Sequence, residues 1–419
     1  MKFIHAADIH LDSPLTGLTA YQDAPFDMLR TATRRAFTNL CNEAIDQAVD
    51  FMIIAGDLYD GTWKDFNTGI FFCKEMGRLQ SAGIPVYVLY GNHDAESEMT
   101  KTLQMPDNVH VFKAAKGGSV FELPHLNVVL SGRSFKEAAT TENLAEHYPP
   151  PIPGKYNIGV LHTALEGKSA HAKYAPCLES QLHAFGYHYW ALGHVHEHAI
   201  MHGDAMIVFP GNLQGRSVRE TGPRGAVLVS VDENFASSVE RLIVDVLRWH
   251  VLEADVSNCN DLGAVVLQVG QVLEQIAEGS SVNLPCAVRV RLTGRTPAHG
   301  ELFGMERQLR QEILAQAARI GAERLWIEKV VVATSNPDDG QALAARADAV
   351  ADLQTILLQA EHDVGFMKSL QDELMALVTK TNSELMNTVP YFRQIRQEQL
   401  VELIAEVRPG LIAHIAKEN

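Results

Sequence analysis

Short β-branched apolar runs that stop abruptly on Gly, Asp, Asn or His dominate the first 245 or so residues. Phe3-Ile4-His5-Ala6-Ala7 stops at Asp8, Phe51-Met52-Ile53-Ile54-Ala55 at Gly56-Asp57, and Val86-Tyr87-Val88-Leu89-Tyr90 at Gly91-Asn92-His93. Ile158-Gly159-Val160-Leu161 stops at His162, Tyr189-Trp190-Ala191-Leu192 at Gly193-His194, and Ile207-Val208-Phe209 at Pro210-Gly211. Runs this short and continuous suit strands buried on both faces. Between the first three lie helical spacings, first Phe26, Leu29, Thr33, Phe37, Leu40, Cys41, Ala44 and Ala48, then Ile70, Cys73, Met76 and Leu79. Strand alternating with helix predicts an α/β layer, in which ligands gather beyond the carboxyl ends of the strands.

From Trp249 to about Pro337 the order becomes strand (Val251 to Val256), helix (Leu262 to Ala277), strand (Ala287 to Leu292), helix (Leu302 to Ile320) and strand (Leu325 to Ala333). This reads as a small α+β domain. The break Ser335-Asn336-Pro337-Asp338-Asp339-Gly340 then precedes helical stripes at Leu353, Ile356 and Leu357, at Leu370, Leu374 and Leu377, and at Leu400, Leu403, Ile404 and Val407. Pro390 and Pro409-Gly410 punctuate them. The expected organisation is therefore residues 1–245, 246–336 and a helical segment 337–419.

The strand-end residues collect into Asp8-Ile9-His10, Gly56-Asp57-Leu58-Tyr59-Asp60, Gly91-Asn92-His93-Asp94, His162 and Gly193-His194-Val195-His196. These are imidazole, carboxylate and amide donors. Taken singly, an Asp-x-His is a solvated loop, Gly-Asp and Gly-Asn are turns, and His162 is a satisfied interior histidine. Five such elements, each directly after a predicted buried strand, point instead to a metal site. On an extended backbone Asp8 with His10, and His194 with His196, would each point one way and grip one ion. Asp57, with two carboxylate oxygens, is the natural bridge between two. Oxygen and imidazole donors without thiolate favour manganese, iron or zinc in a catalytic role. Two such ions generate hydroxide and clamp a phosphate, so the expected reaction is metal-assisted phosphoester hydrolysis.

The ordered set resembles the calcineurin-like metallophosphoesterase superfamily, with its D-x-H, G-D-x-x-D, G-N-H-D/E, lone H and G-H-x-H. Together with the smaller domain and C-terminal helices it resembles the SbcD/YhaO-like bacterial DNA repair exonucleases over roughly residues 1–335. The resemblance implies a metallophosphoesterase β-sandwich flanked by helices, with a small α+β cap domain. It implies that Asp8, His10, Asp57 and His196 hold one divalent ion and Asp57, Asn92, His162 and His194 the other, with Mn2+ ahead of Fe2+ or Zn2+. His93 would face the phosphate, stabilising the transition state or protonating the leaving oxygen, and Asp94 would orient its imidazole. His5, His188, His198 and His202 are expected to be mainly packing or surface residues.

The implied activity is DNA exonuclease, hydrolysing phosphodiester bonds with a two-metal-activated hydroxide, beside an SMC-like (SbcC/YhaN-type) ATPase docked on the C-terminal helices. Arg216, Arg219 and Arg224, and Arg30, Arg34 and Arg35 on the first helix, are candidate phosphate contacts. The charge balance resists this: 35 Lys and Arg against 51 Asp and Glu leave −16, so DNA must be held locally or with a partner's help. A phosphodiesterase or phosphatase for nucleotides or another small phosphoester is the alternative, and the intact motif set, His93 included, disfavours a non-catalytic subunit. The apolar faces from Phe26 to Ala48 and from Ile70 to Leu79 would suit a twofold dimer. The five cysteines, odd in number and without C-x-x-C, are expected to be reduced. No apolar run approaches the roughly 20 residues of a bilayer span and no signal-peptide pattern appears, so the expected location is cytoplasmic, with no membrane partner.

Overall fold

All six apolar runs fall on strands, and six further strands join them. In chain order the twelve are β1 (Lys2–Ala6), β2 (Phe51–Ala55), β3 (Val86–Leu89), β4 (Val109–Val111), β5 (Ser119–Leu123) and β6 (Val128–Gly132), then β7 (Tyr156–His162), β8 (Tyr189–Gly193), β9 (Ala199–Met201), β10 (Met206–Phe209), β11 (Gly225–Val231) and β12 (Ser237–Ile243). The computed structural model describes residues 1–13, 24–60, 66–96, 104–165, 174–279, 284–302, 305–321, 324–335, 356, 359–360, 362–379 and isolated positions between 392 and 404. The chain divides into two compact units, Met1–Trp249 and His250–Asn419.

The first unit holds two six-stranded sheets, ordered β12-β11-β1-β2-β3-β4 and β5-β6-β7-β8-β10-β9. Strands β1 to β4 run parallel, as do β6, β7, β8 and β10, while β11, β12, β5 and β9 are antiparallel additions. Alternate residues of β1, β2 and β3 (Phe3, Phe51, Ile53, Ala55, Tyr87, Leu89) meet Tyr156, Ile158, Val160, Tyr189 and Ala191 of the second sheet in a shared apolar core. The opposite alternation (Ile4, Met52, Ile54, Val86, Val88) packs beneath α1 (Phe26–Asp46) and α2 (Phe66–Ser81). Period two in the strands thus serves two cores at once, which is why these runs are apolar throughout.

The stripe Leu29, Thr33, Phe37, Leu40, Cys41 and Ala44 is buried, and α1 ends at Asp46, short of Ala48. The expected dimer faces are therefore spent within the chain: Phe37, Leu40, Met76 and Leu79 all join the core beneath the first sheet. What α2 leaves exposed is Phe66 and Ile70. Two short helices follow in this unit, α3 (Asn92–Glu96) and α4 (Glu179–Ala184).

The second unit has one three-stranded sheet of β13 (Arg248–Asp255), β14 (Cys286–Arg295) and β15 (Leu325–Ser335). Helices α5 (Leu262–Gly279) and α7 (Glu306–Gly321) lend Val265, Val269, Leu273, Leu309 and Ile313 to its core. The single helix expected from Leu302 to Ile320 is two, because α6 (His299–Leu302) is a separate turn. Helix α8 (Val364–Val378) carries Leu370 and Leu374 into a small cluster with Val378, Ile395, Leu400 and Leu403. Leu353, Leu357, Pro390, Val407 and residues 336–340 lie outside the described residues. No described helix is long and apolar enough to cross a membrane. All five cysteines are free.

Candidate metal centre

Beyond β1 and β2 the chain continues as two stitched loops. The amides of Asp8, His10 and Leu11 donate to the carbonyls of Gly56 (3.0 Å), Asp57 (3.0 Å) and Leu58 (2.9 Å). Asp8, His10 and Asp57 have φ of 51°, 47° and 52°, and His194 has 96°. The extended backbone expected for the Asp8/His10 and His194/His196 pairs is therefore corrected: Asp8, His10 and His194 turn into positive φ instead of continuing a strand. Asp and His tolerate such φ better than most L-residues, and strain of this kind persists where surrounding bonds over-determine it.

The turns bring donor atoms together. Asp8, His10 and His196 form one group, and Asp8, Asp57 and His162 another, with the ligand atoms of each group all within 4.8 Å of one another. Asp57 Oδ2 lies 3.4 Å from His162 Nε2 and 3.9 Å from His10 Nε2, so this carboxylate stands between the two histidine sets. Asn92 Oδ1 is 3.1 Å from His162 Nε2. His194 donates its amide to both oxygens of Asp8, at 3.1 and 3.0 Å, and its ring centroid is 5.2 Å from that of His162.

Hydrogen bonds fix the rings. His162 Nδ1 faces the carbonyl of Ala55 at 3.0 Å, and because a carbonyl only accepts, Nδ1 carries the proton. His196 Nδ1 faces Glu220 Oε1 at 2.7 Å with the same consequence. The Nε2 atoms are thereby turned inward. Glycines clear the space: a Cβ on Gly56, itself at φ 100°, would lie 2.3 Å from His162 Nδ1, and one on Gly91 would lie 2.3 Å from Asp57 Oδ1.

This donor set fits a cation. His10 Nε2 and His196 Nε2 are 3.3 Å apart, with Asp8 Oδ1 3.8 Å from the latter, so three potential ligand atoms converge on one point. Burial holds the His10 imidazole down to about 3, leaving it neutral, and its buried Nδ1 has no hydrogen-bond partner. His162 responds oppositely. Burial works against its charge, but Asp57 and Asp8 outweigh burial and push it up to about 9. A divalent ion would replace that proton and satisfy the facing lone pairs.

His93 differs from the other rings. Its side chain is 40% exposed, against 1% for His10 and 0% for His162, so it faces the solvent side of the centre. Its Nδ1 is 3.0 Å from Asp60 Oδ1, and this contact raises its pKa despite partial burial. The carboxylate at His93 Nδ1 is accordingly Asp60, while the described bonds of Asp94, expected to orient that ring, run to backbone amides. Asp94 is fully buried and accepts from the amides of Leu58 (3.1 Å), Tyr59 (2.9 Å) and Gly91 (3.0 Å), tying two ligand loops together. Burial, then Asp57, pushes its carboxyl up to about 7. Asp94→Ala is therefore expected to cost about 3 kcal/mol of folding stability in urea titration, by orphaning buried amides, whereas His93→Ala costs under about 1 kcal/mol.

The six arginines separate. Arg224 is buried and donates to His196 O (2.6 Å), Asn212 Oδ1 (3.1 Å), Glu197 (2.8 Å) and Thr221 O (2.6 Å), so it is a strut and not a phosphate contact. Arg34 is held by Asp12 at 2.7 and 3.0 Å and lies over the Phe71 ring, which removes it as well. Arg216 points to the centre, while Arg30, Arg35 and Arg219 are exposed. His5 is interior, bonded to Tyr189 OH (3.0 Å) and Leu192 O (3.1 Å), and His198 faces Phe209 O. Asp60 and Glu220 are the functional positions not assigned from sequence. Asp60 stands in G-D-x-x-D, which marks it; nothing near Glu220 does.

The calcineurin-like phosphoesterase family profile matches residues 1–198, and that of the middle domain of metallophosphoesterase YhaO matches residues 249–335. The Bacillus subtilis (strain 168) metallophosphoesterase YhaO, itself uncharacterized, is 32% identical over 300 residues, 71% of this chain and 72% of that one. The DNA double-strand break repair protein Mre11 of Sulfurisphaera tokodaii is 24% identical over 275 residues, 62% of this chain and 67% of that one. The solved structure of a dimetal phosphatase from Danio rerio, 13% identical, covers 56% of this chain and 93% of its own with a TM-score of 0.36.

Proposed function

The chain belongs to the calcineurin-like metallophosphoesterase family, in its YhaO-like branch, and from that membership we propose that it is a metal-dependent DNA exonuclease. The family implies a dinuclear phosphoesterase, and the two donor groups, which share Asp8 and are approached on both sides by Asp57, are the residues that would hold the ions. Asp8, His10, Asp57 and His196 take one, and Asp57, Asn92, His162 and His194 the other, with manganese as the first choice. When bound, the ions supply Lewis-acid polarisation of the phosphate and an activated water. The protein's own contribution is positional. His93, raised in pKa by Asp60 and open to solvent, holds a proton at Nε2 for the leaving oxygen.

The observation that carries DNA as substrate is the similarity to Mre11, a protein named for DNA double-strand break repair, over 62% of this chain. Exposed Arg30, Arg35 and Arg219 remain as phosphate contacts. The net charge of −16 gives them little help, which supports a second subunit, an SMC-like ATPase, docking on the segment 337–419. Truncation before Pro337 is expected to keep hydrolysis of bis(p-nitrophenyl) phosphate while abolishing co-purification of that ATPase; an unchanged pull-down would remove the docking site from this segment. A small phosphoester is the second reading, favoured by the same negative charge.

Manganese-dependent digestion of an end-labelled linear duplex separates the two. Release of nucleotides by wild type, and not by His93→Ala, supports the exonuclease. Hydrolysis of the small diester with intact DNA, even with the ATPase added, overturns it.

A further inference from the structure

Asp60 and Glu220 each hold the Nδ1 of one histidine of the centre, His93 at 3.0 Å and His196 at 2.7 Å respectively. One guanidinium lies between these carboxylates. Arg216 Nη1 is 3.6 Å from Asp60 Oδ2 and donates to Ser13 Oγ at 3.3 Å; Nη2 donates to Glu220 Oε1 at 3.3 Å. The other oxygen of Glu220 accepts the amide of Arg216 at 2.7 Å, so the loop folds back on its own side chain.

We propose that Glu220 and Arg216 are positioning residues: Glu220 fixes His196 with Nε2 presented to the metal cluster, and Arg216 ties Glu220 to the Asp60 that holds His93. This rests on the dinuclear reading above. An imidazole bonded through Nδ1 to an acceptor keeps its Nε2 lone pair free and aimed, and loss of such an outer partner weakens metal binding by roughly 10- to 100-fold. A planar guanidinium can hold two carboxylates with fixed geometry, which a lysine ammonium, a single point charge on a flexible stem, does not reproduce. The metal ligand and the proton-holding histidine are thereby referred to one rigid cation, and neither ring can tilt without disturbing it.

The test is Mn2+ titration of the full chain against a chelating dye, beside kinetics on bis(p-nitrophenyl) phosphate. Glu220→Ala is expected to lower Mn2+ affinity at least about ten-fold. Glu220→Gln, which keeps an acceptor oxygen at the same reach, should fall between it and wild type, with metal-free melting temperatures alike. Wild-type affinity in Glu220→Ala overturns the assignment. Should that variant fail to fold, Glu220→Gln decides: several-fold weaker binding supports the role, and unchanged binding overturns it. Arg216→Lys should keep its metals and lose roughly ten-fold or more in kcat at constant KM. A raised KM at constant kcat would make Arg216 a substrate contact and overturn its positioning role. If wild type itself binds no Mn2+, the dinuclear reading has failed; binding without DNA digestion leaves this proposal decided by the titration alone.

Discussion

Replacing His93 with alanine is expected to leave both ions bound and to lower kcat about 10²- to 10⁴-fold. The two halves have separate physical causes. The side chain stands outside the donor group that contains Asp57 and clusters instead with His10 and Asp60; the tie to Asp57 is the backbone amide, which donates to Asp57 Oδ1 at 3.0 Å and survives the substitution. The imidazole is the most exposed ring of the centre, it is held by Asp60, and it carries the raised pKa that suits a proton donor. Elemental analysis of the variant reads the first half, and turnover of a small diester the second. Loss of an ion on His93→Ala would move the residue from the chemistry to the coordination.

Asp57→Ala should remove both ions and at least about 10⁴-fold of activity, over 5 kcal/mol in the barrier. Asp57 Oδ2 lies 3.4 Å from His162 Nε2 and 3.9 Å from His10 Nε2, and Asp8 is the second carboxylate that the two histidine sets share. The metal-free protein should respond too. His162 ionises near 9 when folded and near 6.5 when unfolded, a rise that Asp57 drives against burial. Its contribution to stability is then complete below about pH 6.5 and lost as pH climbs through about 9. Chelated wild type should weaken over that window, while chelated Asp57→Ala should be flatter there. Two ions retained by the variant would end the bridging role.

The centre is legible in the sequence to an unusual depth because five buried strands, β1, β2, β3, β7 and β8, run into a donor, and a buried strand and a polar stop are both local signals. Strands β6 and β11 escape the pattern because Ser131 and Ser230 interrupt their apolar runs, although β6 is buried throughout and β11 nearly so. β5 and β12 are antiparallel edges that alternate between half-buried and exposed, with one buried residue each, so the pattern is weak there. Site residues follow the same division. Asp8, His10, Asp57 and His162 announce themselves; Glu220 reaches His196 across 24 positions that include β9 and β10, a separation no spacing rule encodes. Arg224 misleads for a related reason. A basic residue in a loop reads as solvent-facing, but this one is buried and donates to the carbonyls of His196 and Thr221.

The first sheet places β1 at its middle, paired on one side with β2 and on the other with β11, where Lys2 lies opposite Ser230. During synthesis these two residues leave the ribosome roughly 10 to 50 s apart. Throughout that interval β1 has an open edge, and for most of it Asp8 also lacks the His194 amide that holds it. An ion offered to the nascent chain finds half a cradle. Loading therefore belongs after release of at least the first 196 residues, and a chain halted before β8 would carry the motifs Asp8-Ile9-His10 and Gly56-Asp57 without the His194 and His196 that complete the donor set.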